Sequence, residues 1–286
     1  MNSEFEKLSL EANESDYNYN SDEIYSEQKE GLRELLNALG EILLFYTISN
    51  SILKLTSKEK KDIKHKLFKI VSNSFNNQGK LEEEKMNEIL NNSISNNYYK
   101  KVYILSLGTD IDVKKLRLDV ITNIIDNVVE GKNWTDRIWT NKKELENILK
   151  KDIVKFLNGL TDVNDIKTTI EKRFNTNAYV TNRLINNEIA RCQFEINDYF
   201  ANLYGIEQQQ FVAILDSRTS KKCRGLDGVI FDINDPSKPK IPQDTHVGCR
   251  SCYINIPTGN WNIDTKNNNR SIWKDFSKWY EEKVDI

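Results

Sequence analysis

Four side chains late in the chain have the types and spacing to hold a metal ion: Cys223, and then His246, Cys249 and Cys252 in the pattern His-x-x-Cys-x-x-Cys. Thiolate and imidazole are the preferred ligands of structural zinc, and x-x spacing lets a tight turn present two donors to one ion. A small β segment buries little apolar surface of its own, so a metal clip would hold it well. Position 220 is serine, which leaves Cys223 alone in the first half of the cluster. The same residues also read as small buried thiols beside a histidine in a turn. A catalytic ion needs an open position and a nearby base. Asp227, Asp232 and Asp244 are close in sequence, but no His-Glu-x-x-His, Gly-x-Ser-x-Gly or P-loop pattern occurs. The residues therefore point to a structural ion, and away from an enzyme.

Other candidates carry less. In Asp216-x-Arg218-Thr219 the carboxylate can cap a turn and pair with the guanidinium. Cys192 falls on a helical apolar stripe and reads as core, whereas His65 lies among lysines and reads as exposed. Trp134 and Trp139 bracket Arg137 and read as core anchors.

The elements that must position these groups divide at proline. All four prolines (Pro236, Pro239, Pro242 and Pro257) fall in the Cys/His-bearing part, and the residues before them have none. Proline breaks helix interiors, so its absence permits long helices there. Apolar residues recur at helical spacing in several runs. Leu32, Leu35, Leu39 and Ile42 form one, and Ile63, Leu67, Val71 and Phe75 another. Met86, Leu90 and Ile94 form a third, set off by Gly79 as a stop, and Val113 to Val129 a fourth, stopped by Gly131. Trp134 to Trp139 reads as an aromatic turn, after which Asn141 and Glu144 form a capping box. A short helix from Thr161 or Asp162 and a long one from Asn177 to Tyr204 follow. The period then switches: Gln209 to Asp216, Val229 to Phe231 and Tyr253 to Ile256 read as short strands. Ile272, Phe276, Trp279 and Tyr280 suggest a last helix.

The expected fold is thus mainly α: a multi-helix body followed by a small, zinc-clipped α+β module with short antiparallel strands. The expected segments are an acidic flexible tail (1–30), an N-terminal helical region (31–130), a helical core (131–205), the β module with the Cys/His cluster (206–260), and a C-terminal loop and helix (261–286). The 286-residue length can bury a core. A net charge of −2 argues against a strongly basic nucleic-acid binder. The acidic N-terminus is no export signal, which disfavours disulfides, and the longest apolar run, Ile42 to Tyr46, cannot cross a bilayer. The 35 Asn and 6 Ala suggest AT-rich coding, so the Asn91-Asn92 and Asn267 to Asn269 runs carry no functional weight.

The stretch from Trp134 to Cys252 resembles the phage Mu F-like minor head protein family, also called phage head morphogenesis proteins. Trp134-Thr-Asp-Arg137-Ile-Trp139 is similar to its W-S-x-R-I-W block, and Arg183-Leu184 through Glu188-Ile-Ala-Arg191 to its R-L…T-E-x-x-R helix. Asp216-Ser-Arg218-Thr219, Cys223-Arg-Gly-Leu226-Asp227-Gly228 and His246-Val-Gly-Cys249-Arg250-Ser251 follow in the family's order. Asn187 stands for the Thr of T-E, Ser220 for a first Cys, and Cys252 is displaced from the family's C-R-C. The resemblance implies a non-enzymatic minor structural protein of a tailed phage or prophage head, located near the portal vertex of the virion. It implies the portal protein as partner, with the major capsid or scaffolding protein and packaged DNA as further contacts, and a role in procapsid assembly, DNA packaging or DNA delivery. A metal-dependent enzyme acting on DNA or cell wall, and a DNA-binding zinc module, are the competing readings.

Overall fold

A computed structural model describes residues 3–259, 261–262 and 272–284. The Asn267 to Asn269 run lies outside them. The described residues are mainly helical, in the order α1 (Ser3–Ser15), α2 (Asp22–Phe45), β1 (Ile48–Ser49), β2 (Ile52–Leu53), α3 (Ser57–Ser106), α4 (Leu118–Ile125), α5 (Trp134–Leu157), α6 (Asp165–Leu203), β3 (Gln208–Val212), α7 (Lys221–Leu226), β4 (Ile230–Asp232), β5 (Cys252–Ile256) and α8 (Trp273–Lys283). None of these helices is long and apolar enough to cross a membrane.

Several boundaries differ from the expected ones, each for a local reason. Gly79 does not end a helix; it lies inside the continuous α3. A Cβ there would meet Cζ3 of Trp139 at 2.5 Å, so glycine makes room for an indole. Residues 134–139 are the first turns of α5 and not a loop. Their capping box is Asn133 with Asp136, upstream of the expected Asn141 with Glu144. The Asn133 side chain accepts from the Asp136 N–H at 2.9 Å and the Asp136 carboxylate accepts from the Asn133 N–H at 3.2 Å. The two helices expected between 161 and 204 are one, because nothing in 165–203 breaks it. Asp162 accepts from the N–H groups of Asn164 and Asp165 at its start, and Gly205 (φ +67°) ends it. The Val113 to Val129 stripe is helical only over α4.

The chain forms two compact units, each drawn from separated stretches. One comprises Asn20–Met86 and Val128–Leu184. Its core is a helical interface of Leu35, Leu39 and Ile42 on α2, Leu67, Val71 and Phe75 on α3, Leu149, Ile153 and Phe156 on α5, and Ile166, Ile170 and Phe174 on α6. The same faces also bury a polar network. Glu82 Oε1 accepts from Gln28 at 3.0 Å, from Thr181 at 2.6 Å and from the ammonium of Lys142. Lys142 also donates to Asn177 at 2.8 Å, and Asn177 donates to Gln78 at 2.8 Å. Burial lowers the Lys142 pKa, an effect that the Glu82 carboxylate opposes.

Gly31 sits inside α2 against this network. A Cβ there would lie 1.9 Å from Ser74 Oγ and 3.1 Å from Ser74 Cβ. Alanine favours a helix over glycine by about 1 kcal/mol, while overpacking costs about 1–3 kcal/mol. Gly31→Ala is therefore expected to lower the denaturant midpoint, and Ser74→Ala in the same chain to recover part of the loss.

The other unit comprises Met1–Tyr19, Asn87–Asn127 and Ile185–Ile286. Here the acidic N-terminus departs from the flexible tail expected of it. Phe5, Leu8 and Ala12 recur at helical spacing on α1 and are buried, so a short apolar seam overrides the surrounding charge. Phe5 packs edge-on against Trp261, with ring centroids 4.9 Å apart. The three-stranded sheet has the order β4-β3-β5, all antiparallel, with Phe211 opposite Tyr253 and Gln209 opposite both Phe231 and Asn255. On α8, Phe276 and Trp279 pack against Tyr103 of α3 at 5.4 and 5.2 Å.

Asp16, just past α1, is buried and accepts from Asn97 and Gln193, both at 2.8 Å. Burial pushes its carboxyl up to about 6 from 3.8, against the pull of those two amides and of Lys100 and Lys101. A folded-state pKa above the unfolded value means that protonation favours the fold. The contribution is full below about pH 4 and is lost as pH rises through about 6. Asp16→Asn is expected to raise stability at neutral pH by about 2 kcal/mol and to flatten the pH dependence of the unfolding midpoint between about pH 4 and 6.

Candidate metal centre

The Cys/His cluster is built from α7 and one turn, both steered by residues around them. Ser220, where the sequence lacks a cysteine, is the N-cap of α7, and its hydroxyl accepts from the Cys223 N–H at 3.2 Å. That orients the first turn of α7 and places Cys223, fully buried, in the sheet module's core with Phe211, Ile241, Cys249 and Tyr253. At the helix exit, Asp227 accepts from the Ala213 N–H at 2.9 Å, and Gly228 (φ +79°) donates to the Phe211 carbonyl at 2.9 Å. The Leu-Asp-Gly turn thus ties α7 back to the end of β3.

The second half of the cluster is the turn His246 to Cys249. The Cys249 N–H closes it on the His246 carbonyl at 3.1 Å, and Gly248 takes φ +73°, which a side chain would resist. The Gly248 N–H donates to the side-chain oxygen of Asn187 on α6 at 2.7 Å. His246 Nδ1 lies 3.0 Å from the Val247 carbonyl. A carbonyl can only accept, so in this contact Nδ1 is the donor, and Nε2 is the ring nitrogen left to face an ion.

The donor atoms of Cys223, His246 and Cys249 all lie within 4.8 Å of one another. The two sulfurs are 3.7 Å apart. Two thiolates bonded to tetrahedral zinc at about 2.3 Å stand about 3.8 Å apart, so this contact, which is also that of one thiol on another, is compatible with a shared ion. It is far from the about 2.05 Å of a disulfide. The residues fit the ion in chemistry and in spacing. Burial raises the Cys249 pKa, which hydrogen bonds from Ser251 and Thr245 oppose. Cys252, the fourth expected member, is not in the group. It opens β5 opposite Val212, near Lys101 and Asn13, and burial pushes its thiol up to about 11.

Beside the cluster, the Asp216 to Thr219 turn forms as expected, with a different main partner for the carboxylate. Both oxygens of Asp216 accept from Arg250 at 2.8 Å, while Arg218 gives its backbone N–H at 2.8 Å and only a 3.7 Å ion pair. The Arg250 guanidinium, aided by the Arg218 N–H, holds the Asp216 carboxyl down at about 2. Cys192 is buried and His65 exposed, as their positions implied. Sequence reasoning missed three supports. Arg250 lies inside the His-x-x-Cys-Arg motif. Asn187 is the residue that departs from the family pattern, and either signal could have found them. Lys238, buried between Asp198 and Gln209 at 2.7 Å each and over the rings of Phe194 and Tyr253, carried no signal in its loop context.

Residues 119–254 match the family described as phage Mu protein F like protein. The chain carries a phage Mu F-like region. It begins at Asp119 in α4, earlier than the motifs from Trp134 onward had marked, and ends at Ile254 in β5. It takes in the whole candidate metal centre, the Asp216–Arg250 pair and Asn187. Arg191, the last residue of the R-L…E-x-x-R motif, shows what the added segment does. Its guanidinium pairs with Glu188 at 2.6 Å and donates to the last carbonyls of α4, Ile124 at 2.7 Å and Ile125 at 3.2 Å. The phage Mu F-like family is one of structural phage head proteins. No curated protein and no solved structure matches the chain.

Proposed function

We propose that this chain is a minor structural protein of a tailed bacteriophage or prophage head, working in head morphogenesis. It associates with the portal protein, contacts the major capsid or scaffolding protein and the packaged DNA, and assists procapsid assembly, DNA packaging or DNA delivery. The observation that carries the reading is the phage Mu F-like region over 119–254, which includes every motif of the sheet module. Its place is the virion head, near the portal vertex, and its role is structural with no turnover.

Two physical features support a docking role. At the end of α2, Leu44 and Phe45 are 86% and 84% exposed, an apolar pair that a partner surface would cover. The net charge of −2 suits protein contacts better than stand-alone DNA binding. Within this role the helical residues 31–205 supply docking faces and residues 206–260 form a rigid, metal-clipped module. Zinc would be held there by Cys223, His246 and Cys249, and when bound it supplies a cross-link between α7 and the His246 turn in place of a larger core. Locating the chain in a density map of procapsids tests the assignment. Density at the portal vertex is expected; its absence from the particles would overturn it.

A further inference from the structure

We propose that the metal in this centre has three protein donors and keeps one coordination position for a small external donor, such as water or an imidazole. This rests on the metal reading above. Zinc in protein sites is almost always four-coordinate, and three protein ligands leave one position open. Among the described residues, only Cys223, His246 and Cys249 converge, and no fourth Cys, His, Asp or Glu joins them.

The nearby candidates are committed elsewhere. Cys252 is held by the register of β5 opposite Val212, beside Lys101 and Asn13. Asp227 is bound to the Ala213 N–H, and Asp244 to the Lys240 N–H at 2.9 Å. Asp216 is bound to Arg250 through both oxygens. The centre also reaches the surface. The two thiols are buried, but His246 is only half-buried and its neighbours Val247 and Gly248 are exposed. A small donor can approach on the imidazole side, where no protein group completes the set.

Cobalt(II) in place of zinc reads this directly in the full chain. Thiolate-to-metal charge transfer counts sulfur ligands, and the visible bands report coordination. The expected spectrum has two-thiolate intensity, unchanged in Cys252→Ser. In Cys249→Ser the metal affinity falls by more than the about 100-fold that loss of an outer-shell partner can cause. Titrating imidazole into the loaded parent chain shifts the visible bands saturably. A charge-transfer band that loses a third of its intensity in Cys252→Ser, or visible bands that imidazole leaves unmoved, would overturn the open position while leaving the metal in place. A parent chain that takes up no cobalt would overturn the metal reading itself.

Discussion

Cys249→Ser is expected to strip the metal from the sheet module and to lower its unfolding midpoint, and a strong chelator should do the same to the parent chain. The effect is expected because the proposed ion would cross-link α7 to the His246 turn. Cys223 and Cys249 lie 26 residues apart in sequence. Between them run β4, which pairs with β3, and the proline-bearing loop, which Lys238 ties to Asp198 and Gln209 and the Tyr253 hydroxyl ties at the Pro239 carbonyl at 3.0 Å. Zinc present at about 1,000 times its dissociation constant adds about 4 kcal/mol. Without the ion, the apolar seam of Phe211, Ile241 and Tyr253 still packs, so a loosened module is expected and not a wholly unfolded one. Elemental analysis beside the melting curve checks this. A parent chain with far less than one equivalent of zinc, as stable as Cys249→Ser, would show that no structural ion holds the module.

Lys142→Met is expected to destabilise the α2–α3–α5–α6 unit by about 3–5 kcal/mol, since it leaves Glu82 charged, buried and short of its cation. The side chains of Lys142 and Glu82 are only 3% and 5% exposed, so water cannot take the lost partner's place. Gln28 and Thr181 still donate to Glu82 and soften the loss without neutralising the charge. Glu82→Gln in the Lys142→Met background removes that charge while keeping an acceptor, and should recover at least about 1 kcal/mol of the loss. Denaturant midpoints of the two single variants and the double variant give the coupling. Strict additivity would mean that the pair does not act as a unit.

These two sites show what could be read from the chain and what could not. The Cys/His cluster was legible as a candidate because its residue types are rare and its spacing is tight. Three of the four expected donors converge, and Cys252 fails because strand register, which spacing does not encode, holds it in β5. The apolar stripes of α2, α3 and α5 were legible because helical burial repeats on a fixed period. Helix ends were read less well. Gly79 looks like a stop and is a seat for Trp139, and only the partner's position distinguishes the two. The acidic start hid α1, because three apolar residues suffice for a seam when a surface awaits them. Glu82 and Lys142 were invisible, since buried charges look like solvated ones until the helices are packed.

Association with the portal is the core of the proposed role. Affinity capture of tagged portal protein from cells assembling heads, at physiological salt and with nuclease added to remove DNA bridges, puts it to the most direct test. This chain is expected to co-purify with the portal ring, and to do so less well when Leu44 and Phe45 are replaced by polar residues. Recovery of the chain only as a free species, with none on the portal or in the heads, would contradict it.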